Sequence, residues 1–80
     1  MKMMKISRFS QLRKINEVAT NNKTYSKNYL KIQDYKGSIA DARSILGMMS
    51  LDYNYPVKLT SDSEDFLDLI DKAVKSVWKS

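Results

Sequence analysis

Gly37-Ser38-Ile39-Ala40-Asp41-Ala42-Arg43-Ser44-Ile45-Leu46-Gly47-Met48-Met49-Ser50-Leu51 is the stretch whose reading decides the fold. Gly37 ends the turn-forming run Asp34-Tyr35-Lys36-Gly37, and Ser38-Ile39-Ala40 then reads as the returning arm of a β-hairpin. Ser44 is a hydroxyl residue placed to cap a helix, and Ile45 to Leu51 supplies about two turns behind it. Of the two methionines in those turns, Met48 is expected inside and Met49 at the surface.

Upstream, Leu30 and Ile32 alternate with Lys31 and Gln33, which gives the first arm of the hairpin. Before that, Leu12, Ile15, Val18 and Ala19 fall on one helical face, with Ser10 as the expected cap and Asn21 and Asn22 as terminators. Met3 to Arg8 reads as an opening strand, with Met4 and Ile6 on one side and Lys5 and Ser7 on the other. Downstream of Pro56, Val57-Lys58-Leu59-Thr60 alternates again. Ser61 and Glu64 form a capping-box pair ahead of Phe66, Leu67, Ile70, Ala73, Val74, Val77 and Trp78, which repeat at helical spacing. Asp62, Glu64, Asp65 and Asp68 crowd the start of that helix, and Lys72, Lys75 and Lys79 lie toward its end, as the macrodipole favours.

The predicted order is therefore βαββαβα in a single domain covering residues 1–80. The expected core is Leu12, Ile15, Val18, Leu30, Ile32, Leu59, Phe66, Ile70, Val74 and Val77. No internal repeat or linker interrupts the chain, and eighty residues leave no room for a second domain.

Composition excludes several chemistries. Without cysteine there is no disulfide scaffold, and without histidine the usual zinc ligand sets, the Ser/His/Asp and Cys/His pairs and a histidine general base are absent. No cofactor, metal site or catalytic residue is expected. The opening MKMMKISRF has no apolar run long enough for a signal-peptide core, and no stretch of about 18 apolar residues occurs, so a cytoplasmic protein without a membrane span is expected. Residues 1–43 hold ten Lys or Arg against Glu17, Asp34 and Asp41, a charge of +7, whereas residues 44–80 carry −2. A basic half of this kind attracts an acidic partner.

The Gly37 to Leu51 stretch resembles the HPr family, the histidine phosphocarriers of the sugar phosphotransferase system, in which a hairpin glycine leads to a Ser-Ile-Met-Gly-x-Met-Ser-Leu run. Only Leu46 departs from that run, and the likeness extends more loosely over nearly the whole chain. The resemblance implies an α+β open-faced sandwich, a four-stranded antiparallel sheet covered on one face by three helices. It also brings Gln11-Leu12-Arg13 onto the His-Ala-Arg of the phosphoryl site, so that Gln11 stands where the phosphoryl-accepting histidine should be and Lys14 where the family has proline. A carboxamide does not carry a phosphoryl group near neutral pH. Ser10, Gln11 and Arg13 would thus be a degenerate phosphoryl site, with Arg13 still able to bind an anion at the helix start.

By the same resemblance, Ser44 matches the regulatory serine phosphorylated by a dedicated HPr-type kinase, with Arg43 as a basic neighbour. Ile45, Leu46, Met49 and Arg13 match the face that meets enzyme I, sugar permease domains and a transcriptional repressor. The expected function is a non-enzymatic regulatory or protein-binding module. A basic nucleic-acid-binding module and a degenerate structural paralogue are the alternatives. The tyrosines at 25, 29, 35, 53 and 55 are interleaved with lysines, but no RNA-recognition signature accompanies them, and tyrosine is an ordinary strand residue. Nucleic acid is accordingly not the expected partner.

Overall fold

A computed structural model describes residues 1–78, with the side chain of Trp78 and the whole of Lys79 and Ser80 lying outside the described residues. The chain runs β1 (Lys2–Met4), α1 (Phe9–Asn21), β2 (Leu30–Gln33), β3 (Ile39–Asp41), α2 (Ile45–Met49), β4 (Val57–Ser61) and α3 (Glu64–Trp78). The four strands form one antiparallel sheet in the order β1-β4-β2-β3, and the expected α+β sandwich is the observed fold.

Register sorts the side chains. Leu59 lies between Lys2 and Ile32, and Ile32 in turn faces Ala40. Met4, Val57, Leu59, Leu30 and Ile32 are buried beneath the helices, whereas their neighbours Met3, Lys31 and Ile39 are exposed on the opposite side. From the helical layer, Leu12, Ile15 and Ala19 of α1, Met48 of α2, and Phe66, Leu67, Ile70 and Val74 of α3 complete the core. Fully burying such a side chain contributes about 1.5–3 kcal/mol. Of the expected core, Val18 is only partly buried against the cluster and Val77 is half-buried.

Several boundaries differ from the sequence expectation, among them β3, which is Ile39–Asp41 rather than Ser38 to Ala40, and α2, which stops at Met49 rather than Leu51. The first strand ends at Met4 rather than Arg8, although Ile6 remains buried as its alternation requires. The N–H groups of Ser7 and Arg8 have left the sheet, and both donate to the side-chain oxygen of Gln11, at 2.8 and 3.1 Å. Arg8 therefore takes the cap position of α1, with extended φ −138° and ψ 145°, and Ser10 is an exposed residue of the first turn instead of the cap. At α3 the cap is Ser63 rather than Ser61: the Ser63 hydroxyl accepts from the Phe66 N–H, while Ser61 stays in β4 opposite Leu30. The expected terminator Asn22 does end α1, and its side-chain oxygen accepts from the Thr24 N–H.

Among the described residues, no helix is long and apolar enough to cross a membrane.

Candidate functional site

The hairpin turn anchors the site. Gly37 has φ +91°, a conformation glycine adopts without a Cβ penalty, and its N–H donates to the Asp34 carbonyl at 3.1 Å. The nearly buried Asp34 carboxylate then accepts three backbone N–H groups, from Lys36 and Ser38 in the turn and from Asp52 in the loop after α2, each at 3.0 Å. Asp34 thereby ties the hairpin to the far end of α2. The Asp52 N–H, followed by the Ser38 and Lys36 N–H groups, holds the Asp34 carboxyl below its ordinary value of 3.8 against the opposing effect of burial.

A depressed folded-state pKa makes this contribution complete above the ordinary carboxylate range and progressively lost as pH falls through the lower folded value. Urea denaturation followed by circular dichroism between about pH 2 and pH 7 checks it. Asp34→Asn is expected to be less stable at neutral pH and to lose stability less steeply below pH 3.8 than the parent chain. An unchanged acid slope would assign the pH dependence to Asp52 and Asp62, which are depressed as well.

Arg43, expected as a basic neighbour of Ser44, is engaged elsewhere. Its guanidinium donates to three backbone carbonyls, Ala19 at 3.0 Å, Asn28 at 2.8 Å and Tyr25 at 3.0 Å. It also lies 5.8 Å from the centre of the Phe66 ring, on which Tyr25 stacks at 4.8 Å. The end of α1, the loop before β2 and the start of α3 thus converge on one side chain.

Ser44 caps α2: its hydroxyl oxygen accepts from the Gly47 N–H at 3.2 Å, and the residue is exposed. At the other end of α2 the Tyr53 hydroxyl donates to the Met48 carbonyl, and burial, with the nearby Asp34 charge adding to it, pushes that phenol up to about 12. The short helix is consequently held at both ends.

Of the residues expected to form a docking face, Leu46 is 78% exposed and Met49 53%. Ile45 is half-buried and packs on the core, and Met48 is fully buried, as expected. Phe9, at the first position of α1, is a large exposed apolar residue that the sequence reading missed. It shares a shallow groove with Arg13 and Ile45 on one side and borders a wider cleft with Met49 on the other. Phe9 therefore joins α1 and α2 into one apolar surface, with Arg13 exposed at its rim.

No family model, curated protein or solved structure matches this chain.

The three residues expected as a degenerate phosphoryl site do not share a surface. Ser10 and Arg13 are exposed, but Gln11 is only 2% exposed and its side-chain oxygen is held by the Ser7 and Arg8 N–H groups. Lys14 continues the helix and pairs with Glu17 at 3.7 Å. Gln11 is part of the helix start, a half of the capping-box arrangement in which a third-position Gln reaches back to the cap N–H. Among the described residues, no group of three or more acidic, His or Cys side chains could hold a metal ion.

Proposed function

We propose that this chain is an HPr-like, non-enzymatic protein of the phosphoenolpyruvate-dependent sugar phosphotransferase system, acting in the cytoplasm by docking to protein partners under control of phosphorylation at Ser44. The observation that carries the proposal is the exposed apolar face of Phe9, Leu46 and Met49 with Arg13 at its edge, beside the exposed Ser44 hydroxyl. An apolar centre with a charged rim is the usual anatomy of a small interface. The burial of Gln11 fits a protein that has no phosphoryl acceptor at that position.

Ser44 is expected to accept one phosphoryl group from an HPr-type serine kinase and ATP, read by tandem mass spectrometry with Ser44→Ala as control. Phosphate brings about 1.5 to 2 negative charges to the edge of the docking face, enough to alter partner choice. By calorimetry, Leu46→Asp and Met49→Asp are each expected to weaken binding of enzyme I or the repressor more than tenfold, because a charge enters a desolvated contact. Arg13→Ala should mainly slow association. Circular dichroism should show these three variants folded, whereas Ile45→Asp should lose stability because Ile45 packs on the core. Unmodified Ser44 together with undiminished binding by the Leu46 and Met49 variants would refute the proposal.

A further inference from the structure

The side of the sheet away from the helices carries a different chemistry. Tyr29, Lys31, Gln33 and Tyr35 alternate along β2 and its flanks with the buried Leu30, Ile32 and Asp34. Lys58 lies opposite Gln33 on β4, Ile39 opposite Gln33 on β3, and Met3 opposite Lys58 on β1. Met3, Gln33, Tyr35 and Lys58 line one shallow depression with Pro56. Beside it Tyr55 packs on Tyr35 with ring centres 4.5 Å apart, and Tyr55 is exposed. At the other end of β2 the Lys31 ammonium stands 6.0 Å from the centre of the exposed Tyr29 ring.

Charge is divided across the molecule. Among the described residues neither Lys31 nor Lys58 belongs to an ion pair, and Lys36 at the rim is held by Asp52 at 3.2 Å. Asp41 is the acidic residue of the outward sheet positions, directly opposite Lys31 in the register, and its carboxylate accepts from the Arg43 N–H at 2.8 Å. The acids Glu64, Asp65, Asp68 and Asp71 all ride on α3, behind the sheet. The outward face thus carries Lys31, Lys58 and exposed tyrosines with a carboxamide between, Asp41 standing opposite Lys31 and Asp62 at the Tyr29 end.

We infer that this outward sheet face binds single-stranded nucleic acid, with bases stacking on Tyr29 and on the Tyr35–Tyr55 pair and phosphates meeting Lys31 and Lys58. The aromatic rings offer apolar planes that any base can cover, and the lysines between them match the backbone charge of an extended strand. Tyr35 is pre-positioned, since its hydroxyl donates to Asp52 at 3.2 Å while the ring stays at the surface. A protein partner would need a larger apolar centre than Met3 and Ile39 provide at opposite edges of the sheet. The inference does not depend on the function proposed above, whose face lies on the helical side.

Fluorescence anisotropy with labelled oligothymidylate, oligouridylate and a duplex of the same length tests it and separates DNA from RNA. Both single strands are expected to bind at low salt, with affinity falling by a logarithmic slope of about 0.7 per phosphate contact, and more tightly than the duplex. Tyr29→Ala and Tyr55→Ala should each weaken binding about 5- to 100-fold with the salt slope unchanged. Lys31→Gln and Lys58→Gln should each lower that slope. Leu46→Asp, on the helical side, should bind as the parent does. The inference is overturned by absence of single-strand binding at low salt, by equal affinity for the duplex, or by folded tyrosine variants that bind undiminished. Each of those results leaves the Ser44 and Met49 experiments with their own independent outcome.

Discussion

Arg43→Ala is expected to destabilise the domain by about 3–5 kcal/mol, because hydrogen bonds from a charged donor contribute roughly 1.5–3 kcal/mol each and three are lost at once, although the Tyr25 carbonyl keeps the Asn28 N–H at 3.0 Å. The carbonyl of Ala19 lies near the end of α1 and those of Tyr25 and Asn28 in the loop before β2, so the guanidinium ties that loop to the helix. A chain of this length has a total stability of about 4–12 kcal/mol at ordinary values per residue. The variant should therefore melt on the order of 20 °C lower. Arg43→Lys should recover only part of the loss, since one ammonium cannot reproduce the planar fork that reaches all three carbonyls. Thermal unfolding by circular dichroism reads both variants. A fall of under 1 kcal/mol for Arg43→Ala would mean that solvent replaces the guanidinium without cost.

The second large effect concerns Gln11. Gln11→Leu keeps the volume and removes the acceptor for the Ser7 and Arg8 N–H groups, which is expected to cost about 2–4 kcal/mol at a helix start otherwise without a hydroxyl cap. Gln11→His and the parent chain are both expected to remain inert toward phosphoenolpyruvate and enzyme I. The parent has no imidazole, and the variant's imidazole would occupy a position that is 2% exposed, out of reach of a phosphoryl donor. Intact-mass analysis checks both proteins. Addition of one phosphoryl group to Gln11→His, at a rate limited by enzyme I, would place residue 11 at the surface during transfer and overturn this account of the site.

The hairpin and the last helix were legible in the sequence for definite reasons. Asp34 to Gly37 carries its own turn chemistry, which the positive φ of Gly37 bears out, and Phe66 to Val74 repeats at a spacing only a helix can bury on one side. The two misplaced caps share one cause. Ser10 and Ser61 have the right side chain, but the chain enters α1 two residues earlier and leaves β4 one residue later than a hydroxyl alone can indicate. The pattern Arg8-x-x-Gln11 held the missing signal, a third-position Gln reaching back toward the cap. Arginine is a poor cap by side chain, so the pattern had no visible anchor.

Around α2, Met48 is buried and Met49 exposed as expected, whereas Phe9 escaped notice because it preceded the expected cap. Arg43 was misjudged for a deeper reason. Its three carbonyl partners lie 15 to 24 residues away, and nothing in its own neighbourhood announces them.

The placement of β1 has a consequence for how the molecule comes together in time. Its partner strand is β4, so Met3 meets Lys58 and Lys2 meets Leu59 across most of the chain's length. Pairings so distant in sequence require a long loop to close first and are intrinsically slow. During synthesis the first strand waits until residues 57–61 have emerged, which at about 5–20 residues per second is a delay of roughly 3–11 seconds. The hairpin of β2 and β3 needs no such wait, having both arms within residues 30–41. A nascent chain halted before Val57 would therefore carry a formed hairpin beside an unpaired Met3 and Met4, an intermediate that limited proteolysis near the N-terminus would detect.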